Sequence, residues 1–296
     1  MGIAKTPSKL TLPELHPGIG TVLEYMVKQF SAISPESWRQ RMIDGKVHWH
    51  DGRLIYIDTP YQAKQRVYYY REVDNEVEIP FKETIVFQDA HILVAQKPHF
   101  LPVTPGGQYV DQCLQARLRE TTGLTNLQAL HRLDRVTAGL VIFSINPETR
   151  ALYHHLFEHR KIHKTYHAIV RINENQNVEG KSWELKNRIE KKALGFLMQI
   201  TAGPSNSHSK IRCLQQKGDK ALFELNPITG KTHQLRLHMR ALGWPILNDK
   251  YYPKLQPETA DDYTKPLQLL AKSLTFIDPV TQQSRVFNSD RGLTLE

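Results

Sequence analysis

A chain of 296 residues with 40% hydrophobic and 23% charged side chains has the composition of a soluble globular protein, long enough for one large domain or two unequal ones. No apolar run is long enough to cross a bilayer, and Met1 to Lys9 lacks the apolar centre of a secretion signal, so a cytoplasmic protein with no membrane partner is expected. A net charge of +9 favours polyanionic partners, nucleic acid first, while Cys113 and Cys213 form no paired metal motif and are expected to be reduced packing residues.

Residues 1 to about 16 hold Pro7 and Pro13 among scattered polar residues and read as an extended arm. Leu23, Met26, Val27 and Phe30 recur at helical spacing. Ser34-Pro35 then supplies an N-cap and a first-turn proline for a second helix through Trp38, Met42 and Ile43, which Gly45 can end. Val47 and Trp49 alternate up to Asp51-Gly52, a type I′ hairpin signal that predicts Leu54 and Tyr56 on the return strand. Two helices and a hairpin make a small unit over 17–70. The acidic residues Glu72, Asp74, Glu76 and Glu78 before Pro80 read as a linker over 71–82.

From Glu83 the pattern changes. Ile85 and Phe87 lead to a turn at Asp89-Ala90, and Ile92-Leu93-Val94 forms a second strand ending at Lys97-Pro98. Val103 to Gly107 reads as a loop, and Cys113, Leu114 and Leu118 predict a helix. After the apolar strand Leu140 to Phe143, Asn146-Pro147-Glu148 reads as a helix start with Leu152 and Leu156 on its buried face. Lys164 to Val170 alternates like a strand, with Tyr166, Ala168 and Val170 on one face. Residues 172–220 give turns at 173–180 and 203–206 and little else. Leu222, Phe223 and Leu225 predict a strand, and a helix through Leu235, Met239 and Leu242 follows, with Arg236 and Arg240 on the face away from its apolar stripe.

Asp134 is the only acid between Glu120 and Glu148 and lies between Arg132 and Arg135. Neighbouring cations favour an ionised carboxylate, which suits a surface ion pair as well as a nucleophile or base. His155, His159 and His163 fall at steps of four. Arg160, Lys161 and Lys164 crowd them and no carboxylate or cysteine completes a ligand set, so no metal site is expected.

The order His131-Arg132-Leu133-Asp134, followed by Thr137 and Gly139, resembles the signature of the RluA-type pseudouridine synthases. Lys164-x-Tyr166-x-Ala168-x-Val170 is similar to that family's second motif. Thr229 through Arg236 reads as its string Thr-Gly-(Arg/Lys)-Thr-His-Gln-(Ile/Leu)-Arg, continued by Gly243, Pro245, Ile246 and Asp249. Leu270-Ala271 with Leu274 and Phe276 resembles its closing strand. Two positions depart from the pattern: His99-Phe100 stand between Lys97-Pro98 and Leu101 where the family has any residue and then glycine, and Ala138 replaces the serine after Thr137. More weakly, 17–70 resembles the S4-type RNA-binding domain, with Ser37-Trp38-Arg39 where a small or basic pair is common.

The resemblance implies an α+β pseudouridine synthase fold over 83–296 with a mixed, largely antiparallel sheet, preceded by the small S4-like domain. It implies isomerisation of uridine to pseudouridine in structured RNA, ribosomal RNA favoured and transfer RNA open, by a cytoplasmic monomer needing no metal or organic cofactor. Asp134 would attack C1′ or C6 of the target nucleotide, Arg236 would pair with that carboxylate, and Tyr166 would stack on the uracil. His131 and Arg132 would aid extrusion of the nucleotide, and Lys97, Lys231 and Arg240 are the expected phosphate contacts. Two rival classes are an RNA-binding member of the fold without catalysis and a metal-dependent nuclease. The nuclease would need clustered carboxylates, which the sequence around Asp134 lacks.

Overall fold

The structure, a computed structural model, describes residues 2–3, 7–14, 18–73, 75–193 and 195–295; parts of the expected arm and Asp74 of the expected linker lie outside these. The chain forms two units, Met1–Val77 with Gly107–Asp111, and Glu78–Gly106 with Gln112–Glu296.

The smaller unit holds β1 (Gly2–Ile3), β2 (Ser8–Thr11), α1 (Val22–Gln29), α2 (Pro35–Ile43), β3 (Val47–Trp49), β4 (Arg66–Tyr69) and β5 (Glu72–Val73). Both expected helices form because their ends are satisfied. Thr21 and Glu24 make a reciprocal capping box, and the Ser34 hydroxyl accepts from the Ser37 amide at 3.1 Å. Leu23, Met26, Trp38 and Met42 close over Val47, Trp49 and Val67. Three expectations change here. Ser8–Thr11 is an edge strand on β4 rather than an arm, since Leu10 and Leu12 pack on that core. The Asp51-Gly52 turn forms and Leu54 returns beside His48 of β3 as expected, but the return ends before Tyr56, whose amide turns away to the Thr59 hydroxyl at 2.7 Å, and the longer partner of β3 is β4. The linker is tied down: Glu72 pairs with Arg41 at 3.0 Å and Lys46 at 2.5 Å, and Glu76 accepts from the Val110 and Asp111 amides.

In the larger unit, β6 (Thr84–Gln88) and β7 (Ile92–Lys97) form a hairpin followed by α3 (Leu114–Thr122), β8 (Gln128–Ala129) and β9 (Ala138–Ser144). Then come α4 (Arg150–Glu158), β10 (His163–Arg171), β11 (Ser182–Lys191), β12 (Met198–Thr201), β13 (Ser207–Lys217) and β14 (Lys220–Pro227). α5 (Gln234–Ala241), β15 (Leu269–Ile277) and β16 (Ser284–Asn288) complete it. The sheet runs β12-β11-β13-β14-β10-β15-β9-β7-β6, with β16 on β15 and β8 on β9. Among the described residues only β15 and β9 pair in parallel, so the sheet is mixed and largely antiparallel, as expected. β7 and β9 are buried at every position, which is why 92–95 and 138–143 read as apolar runs, while Gln96, Lys97 and Ser144 at their ends are buried polar groups.

Helices packed on the sheet contribute to two of its buried clusters. α5 contributes Leu235 and Met239 to a cluster with Ala168, Val170, Phe223 and Leu225, while α4 sets Tyr153 and Leu156 against Ile92, Leu140, Ile142 and Leu274. α4 begins at Arg150, not at Asn146, because the Asn146 side chain accepts from the Glu148 amide at 2.9 Å and closes a turn instead. At the parallel junction Gly139 lies opposite Ala271 with φ +118°, and a Cβ there would overlap the Ala271 backbone. Ala138 beside it is fully buried, so the methyl packs where a serine would need a hydrogen-bond partner.

Candidate active site

Asp134 leaves the loop between β8 and β9, whose backbone is held at successive carbonyls. The Thr137 amide donates to the Asp134 carbonyl at 3.0 Å, Lys97 Nζ to that of Arg135 at 2.9 Å, and His99 Nδ1 to that of Val136 at 2.7 Å. Lys97 also donates to the carbonyls of Pro98 (2.9 Å) and Leu101 (2.7 Å), so its ammonium is fully enclosed. Burial pushes its pKa well below the ordinary lysine range, with the Asp134 charge opposing. The expected phosphate contact is therefore corrected: Lys97 cross-links two backbone segments and does not reach solvent. Phe100, where glycine was expected, has φ +66°, and its buried ring packs on Phe81 and Tyr263.

The two arginines flanking Asp134 in sequence are not its partners. Arg135 forms a bidentate pair with Asp261 at 2.5 and 3.0 Å, and Arg132 is exposed along the cleft. Arg236, brought in by α5, donates Nη1 to Asp134 Oδ2 at 3.1 Å, while its Nε and Nη2 bind Asp249 at 2.8 and 2.6 Å. Tyr251 and Tyr252 flank the guanidinium at 4.6 and 5.4 Å. Burial works to lower the Arg236 pKa, but the bonds and charge of Asp249, reinforced by Asp134, outweigh it and hold the group above its ordinary value. The expected pairing of Arg236 with Asp134 is present, whereas the expected phosphate contact at Arg240 lies outside the cleft. Arg236 is enclosed because two carboxylates compensate its charge, whereas Arg240 is exposed and does not line the cleft.

The Thr229–Arg236 string builds its own helix entrance. The Gln234 side chain accepts from the Lys231 amide (3.0 Å) and the Thr229 hydroxyl (2.7 Å), and donates to Ser209 Oγ (2.8 Å) and the His208 carbonyl (3.0 Å). His233 opens α5 at φ +56°, bonds the Tyr252 hydroxyl at 2.9 Å and sits 3.9 Å from Asp134 Oδ2.

Asp134, Tyr166 and Arg236 line one cleft of about 890 Å³ together with His131, Arg132, Arg160, Lys164 and Lys231. The Tyr166 ring comes from β10, and burial followed by the Asp134 charge pushes its hydroxyl above the ordinary tyrosine pKa, so it stays a neutral phenol. His131 is committed to the framework: Nε2 accepts from the Ile142 amide at 3.1 Å, and the ring stacks on Phe157 at 4.8 Å. Burial, then the Lys164 charge, lower its pKa to about 3, leaving it neutral. Lys164 is a cleft cation that sequence reasoning passed over, and Asp249 and His233 were matched within strings without a role. Only their contacts with Arg236 and Asp134 expose them. His163 departs into β10, while His155, Glu158 and His159 bring their ligand atoms within 4.8 Å of one another on the exposed end of α4.

Residues 91–241 match the family described as RNA pseudouridylate synthase. The dual-specificity RNA pseudouridine synthase RluA of Haemophilus influenzae is 32% identical over 69% of this chain and 91% of its own, and that of Pasteurella multocida is 33% identical over the same shares. Among solved structures, human RNA pseudouridylate synthase domain containing 1 superposes with a TM-score of 0.58 at 22% identity, over 71% of this chain and 84% of that one. The corresponding figures for domain containing 4 are 0.54, 24%, 70% and 87%. These two share the fold. With ordered motifs, a family match over half of the chain and relatives above 30% identity across two thirds of it, the chain belongs to the RNA pseudouridylate synthase family, as an RNA pseudouridine synthase of the RluA type.

Proposed function

We propose that Asp134 is the nucleophile that isomerises specific uridines to pseudouridine in structured RNA, with ribosomal RNA the favoured substrate and transfer RNA a second. The dual specificity named for the relatives fits such a range. The observation that carries the reading is the three-way pairing of Arg236. It binds only Oδ2 of Asp134, and among the described residues Oδ1 has no hydrogen-bond partner and is free to attack. Attack at C1′ releases the uracil base, and attack at C6 forms an adduct; both begin from an unprotonated carboxylate held in place. Asp249 shares the charge of Arg236, so the guanidinium orients Asp134 without being spent on it alone.

Tyr166 supplies a neutral aromatic face for the extruded uracil. Its raised pKa makes it a hydrogen-bond donor rather than a base at neutral pH. Arg132, Lys164 and Lys231, each lining the cleft, are suited to the flanking phosphates. We place the enzyme in the cytoplasm as a monomer. Purified Asp134→Ala should release no tritium from C5-tritiated uridine in bulk RNA while still folding cooperatively, because Arg236 keeps both bonds to Asp249. Normal tritium release by this variant would overturn the assignment.

A further inference from the structure

In the smaller unit, strand alternation sorts side chains sharply between the two faces of the β2–β4–β3 sheet. Leu10, Val67, Val47 and Trp49 face the core. The opposite face carries Lys9 and Thr11 from β2, Arg66 and Tyr68 from β4, and His48 from β3, with no acid among them. Lys9, Tyr68 and His48 stand in one cross-strand row, since Tyr68 is registered with both of the others. The His48 and Tyr68 rings stack at 5.5 Å and 13°, and Tyr70 follows 6.1 Å from His48. His48 Nδ1 donates to the Trp49 carbonyl at 2.7 Å, which fixes the ring plane. Lys9 and Arg66 are exposed and make no ion pair among the described residues.

We propose that this face is an RNA-binding platform, separate from the cleft, on which unpaired bases stack along Tyr68 and His48 while Lys9 and Arg66 take the adjoining phosphates. Aromatic rings on a sheet offer every base a π-face, and flanking cations neutralise the backbone between them. The exposed Leu54, bridged to His48, adds an apolar edge to this face; a protein partner would call for such anchors at the centre of the patch, where this one has stacked rings between cations. The inference rests on the chain acting on RNA.

The test uses the full chain and a fluorescein-labelled oligouridylate of about twelve nucleotides bearing 4-thiouridine. Ultraviolet crosslinks should map to peptides containing Tyr68 or His48. Tyr68→Ala with His48→Ala should weaken binding about tenfold with unchanged salt dependence, because lost stacking releases no counterions. Lys9→Gln with Arg66→Gln should also weaken binding and reduce the log–log salt slope by about 1.4. Wild-type melting transitions would show both variants folded. Affinity within twofold of wild type for both, or crosslinks confined to residues 83–296, would overturn the platform. Absence of tritium release from the unaltered chain would instead count against the catalytic reading, while the crosslinks would still decide the platform.

Discussion

Arg236 and Asp249 are joined inside the protein by two charge-assisted hydrogen bonds, Nε to Oδ2 at 2.8 Å and Nη2 to Oδ1 at 2.6 Å. The remaining guanidinium nitrogen is thereby aimed at Asp134, 3.1 Å away, before any RNA arrives. A carboxylate held this way needs no reorganisation when the nucleotide enters. Asp249→Asn removes the charge while keeping the shape. It should lower the single-turnover rate about 100-fold with little change in RNA affinity, since the loss is one of aim. It should also destabilise the fold by about 3 kcal/mol in urea unfolding, because a buried cation loses half of its compensation.

Lys97 and Lys231 should separate in a salt titration of RNA binding. Lys231→Ala or Arg132→Ala should each reduce the log–log salt slope by about 0.7 to 0.9, the signature of one lost phosphate contact. Lys97→Met should leave the slope alone and cost about 3 kcal/mol of stability, because three enclosed carbonyls lose their donor. A reduced slope for Lys97→Met would restore it to the RNA interface.

Phe100 occupies a left-handed conformation at φ +66°, which costs a non-glycine residue about 1 kcal/mol or somewhat more. Its ring is buried against Phe81 and Tyr263, and deleting a buried phenylalanine side chain costs about 3–5 kcal/mol. Phe100→Gly should therefore be less stable by about 2–3 kcal/mol, read as a lower urea midpoint at constant m. An equal or higher midpoint would mean that backbone strain outweighs the packing.

Stability should fall on mild acidification. His131, His99 and His238 have pKa values lowered to about 3, about 4 and about 4, in each case first by burial. Below the ordinary value of 6.5 the unfolded chain takes up protons at these rings that the folded chain refuses. Unfolding is therefore favoured increasingly from pH 6.5 down to about 3–4, by up to about 2 kcal/mol per histidine at pH 5. Urea midpoints measured from pH 7 to pH 5 check this, and a flat profile would contradict it.

Elements with one strict period were legible in the sequence. β7 and β9 contain apolar runs over 92–95 and 138–143, β14 alternates, and α5 carries an apolar stripe. β11 and β13 were not legible, because polar residues take inward positions, Asn187 in β11 and Ser207 and Ser209 in β13, and hide the alternation. Ser8–Thr11 was missed because its pairing partner, Arg66–Tyr69, is remote in the chain and a four-residue stretch has no period of its own. The start of α4 was misplaced because an asparagine can close a turn as readily as cap a helix.

The sequence by itself determined the family, the ordered strings and the three residues on which the proposed chemistry turns, since local motifs are contiguous and carry their own spacing. The family string also named Arg236 as the partner of Asp134, but only the tertiary structure decided that this guanidinium is enclosed and shared with Asp249 while the adjacent arginines turn elsewhere. Charges act through space, and the nearest arginines in the chain are spent elsewhere, Arg135 on Asp261 and Arg132 on the open cleft. Arg236 reaches Asp134 because α5 buries it between two carboxylates, a placement that helical periodicity, which assigns arginine to solvent, could not foresee.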